Sequence, residues 1–104
     1  MEFKKEVMKK VEVIIEEVGV GNIGYEKKRE VIEYKDEKDL INKCLLVEFG
    51  SEESILKYWN EWYGGIESVE EVVDMVVEEV ECMRENEDWD GSYGLKEDVF
   101  FRVI

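Results

Sequence analysis

Residues 68–86, SVEEVVDMVVEEVECMREN, carry the strongest structural signal in the chain. Their apolar side chains recur every three or four residues, at Val69, Val72, Val73, Val76, Val77, Val80 and Met83. This stripe predicts a helix with one buried face, because burial of so regular a pattern outweighs the poor helix propensity of valine. Ser68, with Glu71 three residues later, forms a capping box that predicts where the helix begins.

Two more helices are expected. Over residues 51–63, Ser51 can cap the N-terminus, acidic residues fill the first turn, and Gly64-Gly65 ends the helix. Over residues 3–18, apolar side chains again follow a helical period, and Gly19 stands in the C-cap position. The apolar stripe of residues 3–18 consists of Phe3, Val7, Val11, Ile14, Ile15 and Val18.

Three strands are expected as well. Residues 25–34 mix charged and β-favouring side chains, and residues 40–49 are a mostly apolar run that suits a strand covered on both faces. The polar residues 35–39 then predict the loop of an antiparallel hairpin. Residues 99–104, Val-Phe-Phe-Arg-Val-Ile, predict the third strand.

These elements fit a single domain over residues 1–104, since no proline, repeat or linker-like tract divides the chain. The expected class is α+β. It consists of a small antiparallel sheet of about three strands with three helices packed on one face, in the order α-β-β-α-α-β.

Charge is spread unevenly along the chain. The net charge is −14, of which residues 1–43 contribute −1 and residues 44–104 contribute −13. Such a field repels nucleic acids and anionic membranes, so the expected partner is a protein with a basic surface. No apolar run approaches the roughly 20 residues of a membrane span, and the N-terminus lacks a signal peptide's apolar core, so the expected location is the cytoplasm.

Catalysis is not expected. The chain has no histidine, and it lacks CxxC, Ser-His, Cys-His and glycine-rich phosphate motifs, so no catalytic residue, cofactor or zinc site is predicted. Cys44 and Cys82 each lie within an apolar pattern and are expected to be buried free thiols.

One side of the 68–86 helix should carry a line of carboxylates. It is either a solvated face that confers solubility or a row that imitates nucleic-acid phosphates, and the spacing fits both. Trp59 and Trp62 are added as anchors, because the four aromatic residues of the 51–63 helix cannot all face inward. The predicted partner-binding residues are Glu67, Glu70, Glu71, Asp74, Glu78, Glu81, Glu85, Glu87, Asp88, Asp90, Trp59 and Trp62.

A calcium loop is a weaker alternative. Asn86, Asp88, Asp90 and Glu97 follow the EF-hand spacing, with Gly91 at the turn. The preceding helix is acidic where an EF-hand is apolar, and a strand is expected afterwards, so an ordinary acidic turn is the simpler interpretation.

Three segments of the chain resemble segments of a known family. They are Phe3-Lys4-Lys5-Glu6-Val7, Tyr58-Trp59-Asn60-Glu61-Trp62-Tyr63-Gly64-Gly65 with Glu67-Ser68-Val69-Glu70-Glu71-Val72, and Leu95-Lys96-Glu97-Asp98-Val99-Phe100-Phe101-Arg102-Val103-Ile104. Through these segments the chain resembles an uncharacterised bacterial family known only as a domain of unknown function and best represented in gut anaerobes. Members of that family continue beyond the last strand, so the resemblance implies a shortened, stand-alone version and supplies no catalytic residues.

The functional expectation is a non-enzymatic acidic binding protein. It would be a phage or mobile-element inhibitor, of the anti-CRISPR kind, that occupies the basic nucleic-acid-binding surface of a defence nuclease; the link to mobile elements is an analogy. The alternatives are a structural or regulatory homodimer, joined through the Trp59/Trp62 helix, whose acidic surface only confers solubility, and a weak calcium-binding module.

Overall fold

The computed structural model describes residues 8–19, 21 and 23–104, and over these ranges the chain forms four strands and three helices. In chain order they are β1 (Lys9–Val18), β2 (Gly24–Tyr34), α1 (Glu37–Phe49), α2 (Glu52–Trp62), α3 (Val69–Glu85), β3 (Ser92–Lys96) and β4 (Val99–Val103). The predicted α+β class is confirmed. The predicted order and strand number are wrong, because the observed order is β-β-α-α-α-β-β.

The sheet is antiparallel, with strand order β2-β1-β4-β3. Two hairpins, β1–β2 and β3–β4, meet where residues Val13 to Glu17 pair with β4, so the first and last strands lie at the centre. Val13, Ile15 and Phe101 share one buried cluster with the apolar residues of all three helices. The helices therefore cover this face of the sheet.

The structure corrects the prediction of an N-terminal helix over residues 3–18. Residues 9–18 form β1, while residues 3–7 lie outside the described residues, as does Val20. Val11, Val13 and Ile15 alternate with Glu12 and Glu16, a period of two that overlaps the helical stripe. β-Branched side chains suit a pleated strand, and pairing on both sides stabilises it in that form. Gly19 does not cap a helix but lies in the β1–β2 connection, where its N–H donates to the Ile23 carbonyl at 2.9 Å.

The prediction of a strand over residues 40–49 is also wrong, because these residues belong to α1. Asp36 caps that helix by accepting a 2.9 Å hydrogen bond from the Asp39 N–H, so the supposed hairpin loop is a helix start. Leu40, Ile41, Cys44 and Leu45 are buried at helical spacing. Gly50 ends the helix in the left-handed conformation, φ 85°. β2 consequently pairs with β1 rather than with residues 40–49.

The other predicted elements are found where they were expected. Ser51 and Ser68 cap α2 and α3 by accepting from the Ser54 and Glu71 N–H groups. Residues 25–34 fall within β2, and β4 lies in the predicted last strand. β3 is the strand that was not predicted: it is short, with Tyr93 and Leu95 buried and the alternate residues Ser92, Gly94 and Lys96 partly exposed. None of the helices in the described part of the chain is both long and apolar enough to cross a membrane.

Two adjacent phenylalanines in β4 provide a test of which side chains of this strand face the core. Phe101 is fully buried and stacks on Tyr93 with ring centroids 4.6 Å apart, whereas Phe100 is 36% exposed. Phe101→Ala should lower the free energy of unfolding by about 3–5 kcal/mol, and Phe100→Ala by about 1 kcal/mol. Urea denaturation of the two variants measures this difference. Equal losses would contradict the alternation of β4.

Candidate functional site

The outward side of α3 carries the carboxylates predicted to bind a partner. Its inward side is buried and consists of Val69, Val72, Val73, Val76, Val77 and Val80. Glu70, Asp74, Glu78, Glu81 and Glu85, called the acidic row here, are all exposed. With a rise of 1.5 Å per residue, the row is about 22 Å long and places a carboxylate every ~4.5–6 Å.

One cation is shown to pair with the acidic row. Lys38, in the first turn of α1, contacts Asp74 Oδ1 at 2.9 Å, and both side chains are more than half exposed. The hydrogen bond to Asp74, followed by the charges of Asp74 and Glu70, raises the pKa of Lys38. An exposed pair of this kind contributes little to stability, about 0–1 kcal/mol. Within the described part of the chain, Glu78, Glu81 and Glu85 have no ion-pair partner.

The predicted residues that flank the row are partly engaged in local structure. Glu71 accepts a 2.8 Å hydrogen bond from the Glu67 N–H and so helps to cap α3. Asp90 accepts from the N–H and hydroxyl of Ser92 at 3.0 and 2.6 Å, and these bonds lower the pKa of Asp90. Glu67, Glu71, Glu87, Asp88 and Asp90 are nevertheless exposed and extend the acidic surface beyond both ends of the row.

Arg84, the basic residue of α3, pairs with a carboxylate outside the row. It forms an ion pair with Glu37 of α1, and its guanidinium lies 4.3 Å from the centre of the Trp89 ring. Tyr93 donates to the same carboxylate at 2.7 Å. The hydrogen bond from Arg84 is the main cause of the lowered pKa of Glu37, while burial and the hydrogen bond to Glu37 raise the pKa of Tyr93. This network leaves the charge of the acidic row uncompensated by Arg84.

An aromatic cleft of about 310 Å³ lies where the end of α2 meets the β3–β4 hairpin. Trp62 and Tyr63 are 60% and 64% exposed, whereas Trp59 is 7% exposed and donates its indole N–H to the Leu95 carbonyl at 3.2 Å. Trp59, predicted with Trp62 to bind the partner, is therefore a core residue. The same cleft is also lined by Phe100, Glu79, Lys96, Glu97 and Asp98.

Sequence reasoning missed this cleft because its second wall is the β3–β4 hairpin, whose strand β3 was not predicted. The alternation of Tyr93 and Leu95 beside a strongly predicted β4 was the available signal. Tyr58 joins the two walls, since its hydroxyl accepts from the Glu97 N–H at 2.8 Å.

Glu48 has an almost completely buried side-chain carboxylate that pairs with Lys96 of the cleft. Its side chain is 3% exposed, and Lys27 and Lys96 reach its Oε1 at 2.6 and 3.2 Å. Burial alone would raise the pKa of Glu48, but hydrogen bonds from the two lysines outweigh it, so the pKa lies below its ordinary value. The charge of Lys96 is therefore compensated inside the fold.

The residues of the suggested calcium loop are divided between a turn and the far end of a strand. Asn86 ends α3, Asp88 and Asp90 follow it, and β3 separates them from Glu97. Five extended residues span about 16 Å, so Glu97 does not fold back as the last ligand of an EF-hand does. Within the described residues, no group of three or more Cys, Asp or Glu side chains is arranged to hold a metal ion.

The two thiols differ in environment. Cys44 is buried in the core, and burial raises its pKa to about 12, which suppresses the reactive thiolate. Cys82 is exposed on α3, so its predicted burial is wrong.

No protein-family model, curated protein or solved structure matches this chain. The resemblance to the uncharacterised bacterial family therefore stays a prediction, and its segment at residues 3–7 lies outside the described residues.

Replacing Glu48 by glutamine tests the buried ion pairs. The variant should lose about 1.5–3 kcal/mol of unfolding free energy at neutral pH, the range for hydrogen bonds to charged groups. Because the pKa of Glu48 is lowered in the folded state, its contribution is complete above the unfolded value of about 4.3 and is lost as the pH falls through the folded pKa. Urea unfolding at a series of pH values should show the two proteins converging in acid.

Glu61→Gln, at an exposed position of α2, is the matched control and should behave as the parent protein. A Glu48→Gln deficit that persists unchanged in acid would show that the side chain acts through packing rather than through its charge.

Proposed function

We propose that this chain is a non-enzymatic binding protein that occupies a basic surface of another protein through the acidic row. The observation that carries the proposal is the placement of every row carboxylate on the exposed side of one helix, whose opposite side is fixed by six buried valines. A rigid helix holds the charges in a set geometry before binding, which reduces the entropy lost on association.

The cations of the N-terminal half support this proposal by their positions. Lys27 binds Glu48, Arg29 binds Glu12 and Glu26, and Lys43 binds Asp39. These pairs neutralise carboxylates of the sheet and of α1. Apart from Lys38 at the edge, the pairs described here leave the acidic row open to a positively charged partner.

The finer proposal is that the partner surface binds nucleic acid. A DNA strand presents a phosphate about every 3.4 Å along its axis, and the row presents a carboxylate every ~4.5–6 Å, so a groove lined with lysine and arginine can pair with either. A protein of this kind would inhibit its target by competition. We propose an anti-CRISPR-like role for a phage or mobile element in the cytoplasm, with a defence nuclease as the class of target.

Charge reversal on the row tests the proposal. Glu78→Lys, Glu81→Lys and Glu85→Lys together should abolish retention of basic proteins from a bacterial lysate on the immobilised chain. Three exposed charge pairs contribute about 0.2–1 kcal/mol each, and about 1.4 kcal/mol corresponds to tenfold in affinity. Loss of these pairs alone should therefore lower the affinity for a captured protein about three- to hundredfold, and the introduced lysines add repulsion. Wild-type retention should also be lost at high salt and on adding duplex DNA.

The variant should remain folded, since the lysine at position 78 can pair with Asp74 one turn before it and the lysines at 81 and 85 lie near the helix C-terminus, where cations are favoured. The matched control replaces Glu30, Glu33 and Glu61, all exposed and outside α3, by lysine, which changes the net charge by the same amount. If the row variant retains the same proteins as the control, or if duplex DNA displaces none of them, the proposal is wrong.

A further inference from the structure

The aromatic cleft contains aromatic rings that no other part of the described fold covers. Tyr58 and Trp59 use their polar atoms internally, through the Glu97 N–H and the Leu95 carbonyl. Among the described residues, Trp62 and Tyr63 make no side-chain hydrogen bond, and both are more than half exposed. Phe100, from the other wall, is partly exposed in the same cleft.

The charges around these rings are negative. Glu79, Glu97 and Asp98 line the cleft, and all three are exposed. Among the described residues that line the cleft, the one cation is Lys96. It is bound to the buried carboxylate of Glu48 at 3.2 Å and lies 5.3 Å from the Phe49 ring. The free charge of the cleft is therefore anionic, and its apolar surface is aromatic.

Aromatic faces rimmed by carboxylates select a cation, and a flat one fits best. A guanidinium stacks on an indole ring and at the same time donates to a carboxylate, which an ammonium group does less well. The protein shows this arrangement once internally, where Arg84 lies over Trp89 and pairs with Glu37.

We propose that the aromatic cleft receives an arginine side chain from the basic surface of the partner protein. The guanidinium stacks on Trp62 and pairs with Glu79. The inference rests on the proposed function for the nature of the partner. It adds a second contact on α3, since Glu79 lies about 100° around the helix from Glu78 in the acidic row. A second copy of this chain is a poor occupant, because its net charge of −14 would face the carboxylates of the cleft.

Preference for arginine over lysine at equal charge is the property to measure. The probes are short acetylated and amidated peptides that alternate glycine with arginine, with lysine, or with citrulline, the uncharged analogue of arginine. Calorimetry should show the arginine peptide binding about threefold more tightly than the lysine peptide and the citrulline peptide not binding. Equal affinity for the arginine and lysine peptides would overturn the proposal.

Three variants locate this preference. Trp62→Ala should bind the arginine peptide about fivefold more weakly and bind both cationic peptides equally, while Trp62→Tyr, which keeps an aromatic face, should retain most of the preference. Glu79→Gln removes one charge without removing an aromatic ring and should lower the affinity for both cationic peptides. A preference unchanged in Trp62→Ala would overturn the assignment to this cleft.

The row variant carrying Glu78→Lys, Glu81→Lys and Glu85→Lys separates this inference from the proposed function. It should bind both peptides more weakly but keep the arginine preference. If it loses no affinity while Trp62→Ala abolishes the preference, the cleft assignment stands and the acidic row is not the main contact. A dimer seen by light scattering that dissociates on Trp62→Ala would instead make a second copy the occupant and overturn the proposal.

Discussion

Burial of the valine stripe of α3 is the constraint that organises this molecule. Val72, Val76 and Val80 are almost fully buried, and together with the other three valines they fix how the helix is rotated on the sheet. A helix held on one side by its core presents its remaining positions to solvent, and here those positions are mostly carboxylates. The like charges oppose helix formation by a few tenths of a kcal/mol per pair, whereas burial of one valine contributes about 1.5 kcal/mol or more. Packing therefore decides the orientation, and the acidic surface follows from it.

The topology of the sheet determines where the aromatic cleft forms. The pairing of β1 with β4 brings both hairpins into one sheet and leaves β3 at an edge, beside α2. Trp59 and Tyr58 bind main-chain groups of Leu95 and Glu97, so they cover part of an edge that could otherwise pair with another chain. The same contacts hold Trp62 and Tyr63 next to the β3–β4 turn. The aromatic cleft is thus a consequence of how this edge is protected.

The sequence predicts correctly those elements whose signals lie within a few neighbouring residues. α2 and α3 were predicted from side-chain caps at Ser51 and Ser68 and from regular stripes, all within a few residues of one another. The stripe of β1 fits a helical period and a strand period at once, so the sequence predicts a helix there. The choice between the two depends on pairing with β4, which lies more than 80 residues away. At α1 the sequence predicts a strand, although Asp36 and Gly50 mark the ends of a helix, because the polar cluster before it also suits a hairpin loop. The acidic row needed only the period of α3, whereas the aromatic cleft needed the tertiary fold.

The placement of the carboxylates can be tested without knowledge of the partner. An amide NMR titration with oligolysine, which offers charge without aromatic stacking, reports where a cationic chain contacts the protein. The largest shift changes should lie along the exposed side of α3 from Glu70 to Glu85, with small changes at the exposed carboxylates Glu30 and Glu33 of β2. Equal changes at all exposed carboxylates, or changes centred on β2, would contradict the account.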